Sequence, residues 1–329
     1  MNLRPWGSIG WLLPKIGIEA WHVITSASFE DRCIALVDLM NSNGPRIKSS
    51  TLYKISNPPS ESWTEAAPVV KANFDSLSAS LSAQSTAIIE ADLLSQLGSV
   101  LSLDQLNPDG SESVVLDITT LPKRFFLFAL KQLVNSAKVQ NLVVTYAAAK
   151  QYPEAALCEN ALPPAALQGF GRVQRLRNSP RMFVGVGYTA LSIEGLLEKA
   201  GNSKLDFLFP FPPASPAFRR NWYLLSKLMP ADKPFGTEIH RVHGMDAFEV
   251  FERLYAWGQF RDLDLVPLGP KPHALGMAMA SMRLEGTAEL IYAQPQSYHV
   301  NYSQGIALDE SGRPKIYAYC LKHRGKVLF

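Results

Sequence analysis

Two short segments place a cation at what reads as a helix start, each after a hydrophobic run: Gly269-Pro270-Lys271-Pro272-His273 and Asp117-Ile118-Thr119-Thr120-Leu121-Pro122-Lys123-Arg124. A helix N-terminus leaves backbone N–H groups unpaired and carries partial positive charge, so phosphate or carboxylate is favoured there. A nearby lysine adds to that preference. In the first segment Gly269 permits close backbone approach, proline suits a turn where an N–H is dispensable, and Lys271 supplies a mobile cation. His273 could donate to a phosphate or transfer a proton. The plain alternative is a tight turn with Lys271 in solvent and His273 a satisfied core residue. In the second segment Asp117 ends a buried-looking strand, and Thr119 and Thr120 can bond at the helix mouth. Lys123 and Arg124 enter a first turn where cations oppose the helix dipole. Something negative must lie near them, either Asp117 or a ligand.

Other segments carry weaker signals. Ser28 with Asp31 three residues on matches a capping box, while Thr25, Ser26 and Arg32 around it could face a ligand. Phe209 to Trp222 combines prolines and aromatics with Arg219-Arg220, a fork suited to phosphate or carboxylate. Tyr298 and Tyr302 lie on a polar loop after a strand and could face a base. Gly185-Val186-Gly187-Tyr188-Thr189-Ala190 has the GxGxxA form, with Asp206 206 − 185 = 21 residues beyond the first glycine. Asp206 begins its strand instead of ending it, so tight packing explains the glycines better. P-loop, HExxH and GxSxG sequences are missing, and the six histidines include one close pair, His240 and His243, without evident partners. No metal and no cofactor are assigned.

These segments sit in a regular alternation of β-branched or aromatic runs, small-residue turns and helical periodicity. Predicted strands are His22–Thr25, Thr51–Ile55, Ala87–Ala91, Val114–Ile118 and Leu142–Tyr146, with helices including Phe29–Met40 and Pro122–Ser136. After a proline- and glycine-rich stretch the rhythm resumes at Met182–Val186, Leu205–Phe209, Glu238–Val242, Leu263–Leu268, Leu290–Ala293 and Lys315–Tyr319. Helices are expected at Ser192–Ala200, Pro216–Met229, Asp246–Trp257 and Pro272–Met282. Parallel strands need long crossovers, so the expected class is α/β, Rossmann-like, with mostly parallel sheets and flanking helices, as two lobes or one large doubly wound sheet. The division expected is an N-terminal lobe over 1–147, an irregular connection or lid over 148–180, and a C-terminal lobe over 181–329. Leu116 to Leu130 and Leu265 to Met279 echo each other, both running strand, turn, Pro-Lys, apolar helix. The two Pro-Lys corners are expected to share one rim.

With 47% hydrophobic and 19% charged residues, the chain can build a sizeable core. A net charge of +3 is too small to signal duplex nucleic-acid binding. Three widely spaced cysteines give neither a disulfide framework nor a metal pattern, and the apolar patch Ile9 to Leu13 is cut by Pro14 and Lys15. A cytoplasmic location without membrane insertion is expected.

Gly269-Pro270-Lys271-Pro272 resembles the lysine-containing strand-to-helix loop of CARF-type nucleotide sensors, and DITT at 117–120 resembles their switch-point loop. The chain from about Ser113 onward also resembles a bacterial Rossmann-like family with DI-x-x-LPK, FPFPP, GPKP and QP-x-x-Y elements. Pro270 stands where the sensor loop usually has a small polar residue. The CARF resemblance implies a dimeric sensor of cyclic oligonucleotides in prokaryotic antiviral defence. The reading that follows is a protein binding a nucleotide or other anionic, phosphorylated small molecule, as a regulatory or defence component and a homodimer. Thr119, Thr120, Lys123, Arg219, Arg220, Gly269, Lys271, Tyr298 and Tyr302 would form the site. Two alternatives stay open: an enzyme acting on a nucleotide or nucleoside through Asp117 or His273, and a scaffold subunit that docks a protein partner.

Overall fold

The structure, a computed structural model, describes residues 4–153, 158–173, 180–187, 204–211 and 238–329. In chain order they form β1 (Trp6–Ser8), α1 (Ile9–Ile16), β2 (Ala20–Ala27), a 3-10 turn (Asp31–Ile34) running into α2 (Ala35–Asn43), β3 (Arg46–Ser56), α3 (Glu61–Ser80) and β4 (Ser85–Asp92). Next come α4 (Leu97–Val100), α5 (Leu103–Leu106), β5 (Ser113–Asp117), α6 (Lys123–Asn135), β6 (Asn141–Ala147) and the short β7 (Ala149–Gln151), β8 (Cys158–Ala161) and β9 (Ala165–Ala166). A second series follows: β10 (Arg181–Gly185), β11 (Lys204–Pro210), β12 (Glu238–Val242), α7 (Ala247–Gly258), β13 (Leu263–Val266), α8 (Lys271–Arg283) and β14 (Ala288–Tyr292). The last strands are β15 (Pro295–Tyr298), β16 (Gln304–Ile306), β17 (Ile316–His323) and β18 (Lys326–Val327).

The first compact unit joins residues 1–153 to 297–328, and the second spans 154–296 with Phe329. In the first sheet the order is β1-β17-β6-β5-β2-β3-β4, with β2 to β6 mutually parallel and β1 and β17 antiparallel additions. Counted in chain order, its parallel strands lie 3-2-1-4-5. The second sheet, β12-β11-β10-β13-β14-β9, repeats that order in its five parallel strands and ends on antiparallel β9. Both units are therefore doubly wound α/β sheets of Rossmann type, in two lobes.

Burial follows from position in the sheet. Central β6 is buried along its whole length, as a strand covered on both faces must be, and its sequence is a near-continuous apolar run. Edge strand β4 instead alternates, with Ile88 54% exposed. Helix α6 buries Phe125, Phe126 and Phe128, each contributing about 1.5–3 kcal/mol by leaving water. Cys33 and Cys320 are free thiols in the same core cluster, and burial pushes Cys33 up to about 12, which leaves it inert.

Several expectations change. The strand expected at Lys315–Tyr319 belongs to the first sheet, where β17 runs antiparallel beside β6 and so needs no crossover helix. Consequently the C-terminal lobe does not extend over 181–329, because Ser297–Leu328 packs with the first unit. The expected connection over 148–180 contains short strands β7, β8 and β9. The helix expected over Phe29–Met40 starts later, as a 3-10 turn at Asp31. Helices expected at Ser192–Ala200 and Pro216–Met229 lie outside the described residues.

Toward the amino ends of the first sheet lies a buried polar network. The His22 ring meets Ser49 Oγ at 2.8 Å and Leu106 O at 2.9 Å, while Asp109 accepts from Ser49 Oγ and Ser111 Oγ, both at 2.7 Å. Burial lowers the His22 pKa against the opposing pull of Asp109, so the folded state favours the neutral ring. Burial raises Asp109, but hydrogen bonds from Ser49 and Ser111 prevail and hold it at about 2. The unfolded histidine takes up its proton near pH 6.5 and the folded one only lower, so its contribution is complete above that value and declines as pH falls. Urea denaturation between about pH 8 and pH 4 should show stability falling below about pH 6.5, and His22→Gln should flatten that slope.

Candidate functional site

In a doubly wound sheet the loops after strands one and four leave in opposite directions, and the gap between them at the carboxyl edge is where ligands collect. In the first unit this gap lies between the ends of β2 and β5. Asp117, the last residue of β5, is 2% exposed. Its Oδ1 accepts from Thr119 N at 3.1 Å, from the Thr119 hydroxyl and from Thr145 Oγ1 at 3.2 Å. Its Oδ2 accepts from Thr25 Oγ1 at 3.4 Å. Thr119 Oγ1 in turn accepts from Ala147 N at 2.9 Å. Thr120 Oγ1 lies 3.0 Å from both Ser26 O, to which it donates, and Ser26 Oγ. One carboxylate thus ties together the ends of β2, β5 and β6.

Lys123, half-buried, is the first residue of α6, after Pro122 at the cap. Arg124 explains how a second cation tolerates a helix start: it reaches out of the turn, its Nη1 donating to Leu93 O at 2.8 Å and its Nη2 to Ser95 O at 3.1 Å. It thereby anchors the loop leaving β4. Beside that loop, at the carboxyl ends of β3 and β4, a cleft of about 450 Å³ opens under α3. Its polar lining comes from Lys54, Ser56, Lys71, Glu90 and Asp92, and half-buried Trp63 adds an indole. Ser56 and Asp92 are register partners, and the Ser56 hydroxyl donates to Asp92 Oδ1. Lys54 Nζ donates to Glu90 Oε1 at 2.8 Å. Next to Ser56, Asn57 keeps a buried amide nitrogen with no hydrogen-bond partner among the described residues. The signal for this cleft was faint, because its residues occupy separate segments with no motif.

A second cluster in the same unit centres on Arg32, 1% exposed. Its guanidinium donates to Ala147 O at 2.8 Å, to Tyr146 Oη at 3.3 Å and to Glu30 Oε2 at 2.5 Å, and the Ser303 hydroxyl also donates to Glu30. Burial disfavours the Arg32 charge, but Glu30 outweighs it and holds the cation firmly protonated. Tyr146 and Tyr152 share a hydrogen bond of 2.9 Å, and burial pushes Tyr152 up, keeping it a phenol. The box expected between Ser28 and Asp31 is replaced: Ser28 Oγ accepts from Glu30 N at 3.3 Å, because the turn starts two residues later. Tyr302 stands edge-on to Tyr152 at 6.4 Å and to Tyr298 at 5.8 Å. Both expected base-facing tyrosines therefore belong to the first unit, in an aromatic group.

The second unit holds Gly269, Lys271 and His273. Its own gap, between β10 and β13, is closed by glycine contact. A Cβ on Gly187 would sit 2.0 Å from Leu268 O, and one on Gly269 would sit 3.2 Å from Val186 O. The GxGxxA glycines thus serve backbone packing at the switch point. Lys271 begins α8 after Pro270, as Lys123 begins α6 after Pro122. The sequence echo therefore marks the same strand-four junction in each unit, and the two corners fall in separate units. His273 is fully buried, its Nε2 3.1 Å from His243 O. Asp206 lies toward the amino ends of its sheet, gripped by Arg181, whose guanidinium stacks 4.3 Å from the Trp257 ring centroid. Arg219 and Arg220 lie outside the described residues. Among the described residues no group of His, Cys, Asp and Glu is placed to hold a metal, and no helix is long and apolar enough to cross a membrane.

No family model matches the chain, and no curated protein matches it. Among solved structures, one assigned as a universal stress protein from Pseudomonas aeruginosa UCBPP-PA14 is 11% identical and covers 86% of this chain and 95% of its own, with a TM-score of 0.26. The cytoplasmic domain of a prokaryotic cation chloride cotransporter is also 11% identical, covering 86% of this chain and 99% of its own, with a TM-score of 0.21. Neither superposition is close enough to transfer a role.

The Asp117 arrangement makes a direct prediction. Asp117→Ala strands the buried donors of Thr25, Thr119 and Thr145, and should cost about 1–3 kcal/mol in denaturant stability. Amide exchange at Thr119 and Ala147 should accelerate in the same variant.

Proposed function

We propose that this protein binds a nucleotide or related phosphorylated small molecule at the carboxyl edge of its first sheet, as a sensor or regulatory component. The observation that carries the reading is the switch point between β2 and β5. There Thr120, half-buried and bonded to Ser26, stands just ahead of the N-terminus of α6, with Lys123 at its first position. A helix dipole with an ammonium at its first position favours a phosphate. The resemblance of DITT to the CARF-type switch-point loop points the same way, and extends the proposal to a homodimer acting in prokaryotic antiviral defence. Binding is preferred to turnover because the two acid-base candidates are occupied inside the protein. Asp117 accepts hydrogen bonds from three threonines, and His273 is fully buried.

Thermal melting with a panel of mono-, di- and cyclic nucleotides tests the reading. At a ligand concentration of about 100 Kd the gain should be near 2.7 kcal/mol, a rise of a few degrees. Lys123→Ala should shrink the rise without lowering the melting point of the free protein, while Lys271→Ala should leave it unchanged. A panel that gives no shift overturns the proposal.

A further inference from the structure

We infer that the cleft between the ends of β3 and β4 receives the ribonucleoside end of a nucleotide, with Trp63 against the base and Asp92 on the ribose diol, and with Lys71 as a second cation, besides Lys123, for its phosphate. This rests on the nucleotide-binding reading and assigns residues to it. The cleft, about 450 Å³, falls within the roughly 300–1,000 Å³ of small-molecule sites and lies at the same carboxyl edge as the switch point.

The lining narrows the ligand by elimination. Lys54 is engaged with Glu90 and lies 5.3 Å from the Phe74 ring centroid, so this ion pair forms a neutral wall. Asp92 accepts one hydroxyl, from Ser56, through Oδ1, and a carboxylate has lone pairs for more. A vicinal diol supplies two donors at the spacing of one carboxylate, and a 2′-deoxy sugar supplies one fewer. Trp63 offers a flat apolar surface, and every base has a face to stack on it. Lys71 is 72% exposed and, among the described residues, bound only to Asp75, itself 58% exposed. Such a surface pair is worth little, so a phosphate can displace Asp75. The lining charges cancel, two lysines against Glu90 and Asp92, which suits a monoester better than a polyphosphate.

Calorimetric titration of the full chain with ribonucleoside 5′-monophosphates and their 2′-deoxy counterparts tests the assignment. The ribo forms should bind about tenfold or more tightly than the deoxy forms, the scale of a lost hydrogen bond to a charged group. Asp92→Asn should erase most of that preference. Trp63→Ala should weaken both series about tenfold, and Trp63→Phe, which keeps a ring, should restore most of the loss. Circular-dichroism melts establish that each variant is folded, and the Phe variant serves if the Ala variant is not. Equal ribo and deoxy binding, with wild-type affinity in the Trp63 and Asp92 variants, overturns the cleft assignment. If Lys123→Ala still abolishes that binding, the broader reading survives. Absence of binding by any nucleotide defeats both.

Discussion

A carboxylate removed from water must be surrounded by donors, and at the end of β5 that requirement organises the first unit. Asp117 collects hydroxyls from Thr25 on β2, Thr119 in its own loop and Thr145 on β6. Because these donors come from the strands on either side of β5 and from the loop that follows it, satisfying one charge also sets the mutual position of the strand ends. Thr119 passes the constraint on, taking its own hydrogen bond from Ala147 N where Arg32 holds Ala147 O. Loop geometry at the carboxyl edge is thus inherited from a buried charge, and the α6 N-terminus with Lys123 is delivered to a defined place.

The second unit meets the same topological problem with different chemistry. Its strand-one and strand-four loops touch backbone to backbone through Gly185, Gly187 and Gly269, where a side chain would collide with Leu268 O or Val186 O. Its buried carboxylate, Asp206, sits toward the other end of the sheet, with Arg181 as counterion. One strand order therefore accommodates an edge lined with hydroxyls and an edge closed by glycine. The difference lies in the loops, where function resides on a shared scaffold.

Cations at the carboxyl edge divide by what holds them. Arg124 is consumed by the carbonyls of Leu93 and Ser95, and Arg32 by Glu30 and Ala147. Both act as internal struts, binding the β4 loop and the returning segment at Ser303 to the sheet. Lys71 holds an exposed partner, so a ligand can compete for it at small cost. This cleft residue differs from the strut residues in that respect, although all are charged side chains near strand ends.

Much of the architecture was legible in local pattern. β-branched runs separated by helical periodicity require crossovers, and the strands at Glu238–Val242 and Val114 to Asp117 fall where that pattern places them. The Pro-Lys echo was also readable, and it marks the same junction in both units, because a proline cap and a following lysine are set by a few adjacent residues. What adjacent residues cannot encode is partnership across distance. The return of β17 to the first sheet, the Arg32–Glu30–Ser303 contact, and the Ser56–Asp92 wall of the cleft join segments tens to hundreds of residues apart. Tertiary folding alone decided them, since hydrogen bonding and burial depend on which groups meet in space, and chain order constrains that only weakly.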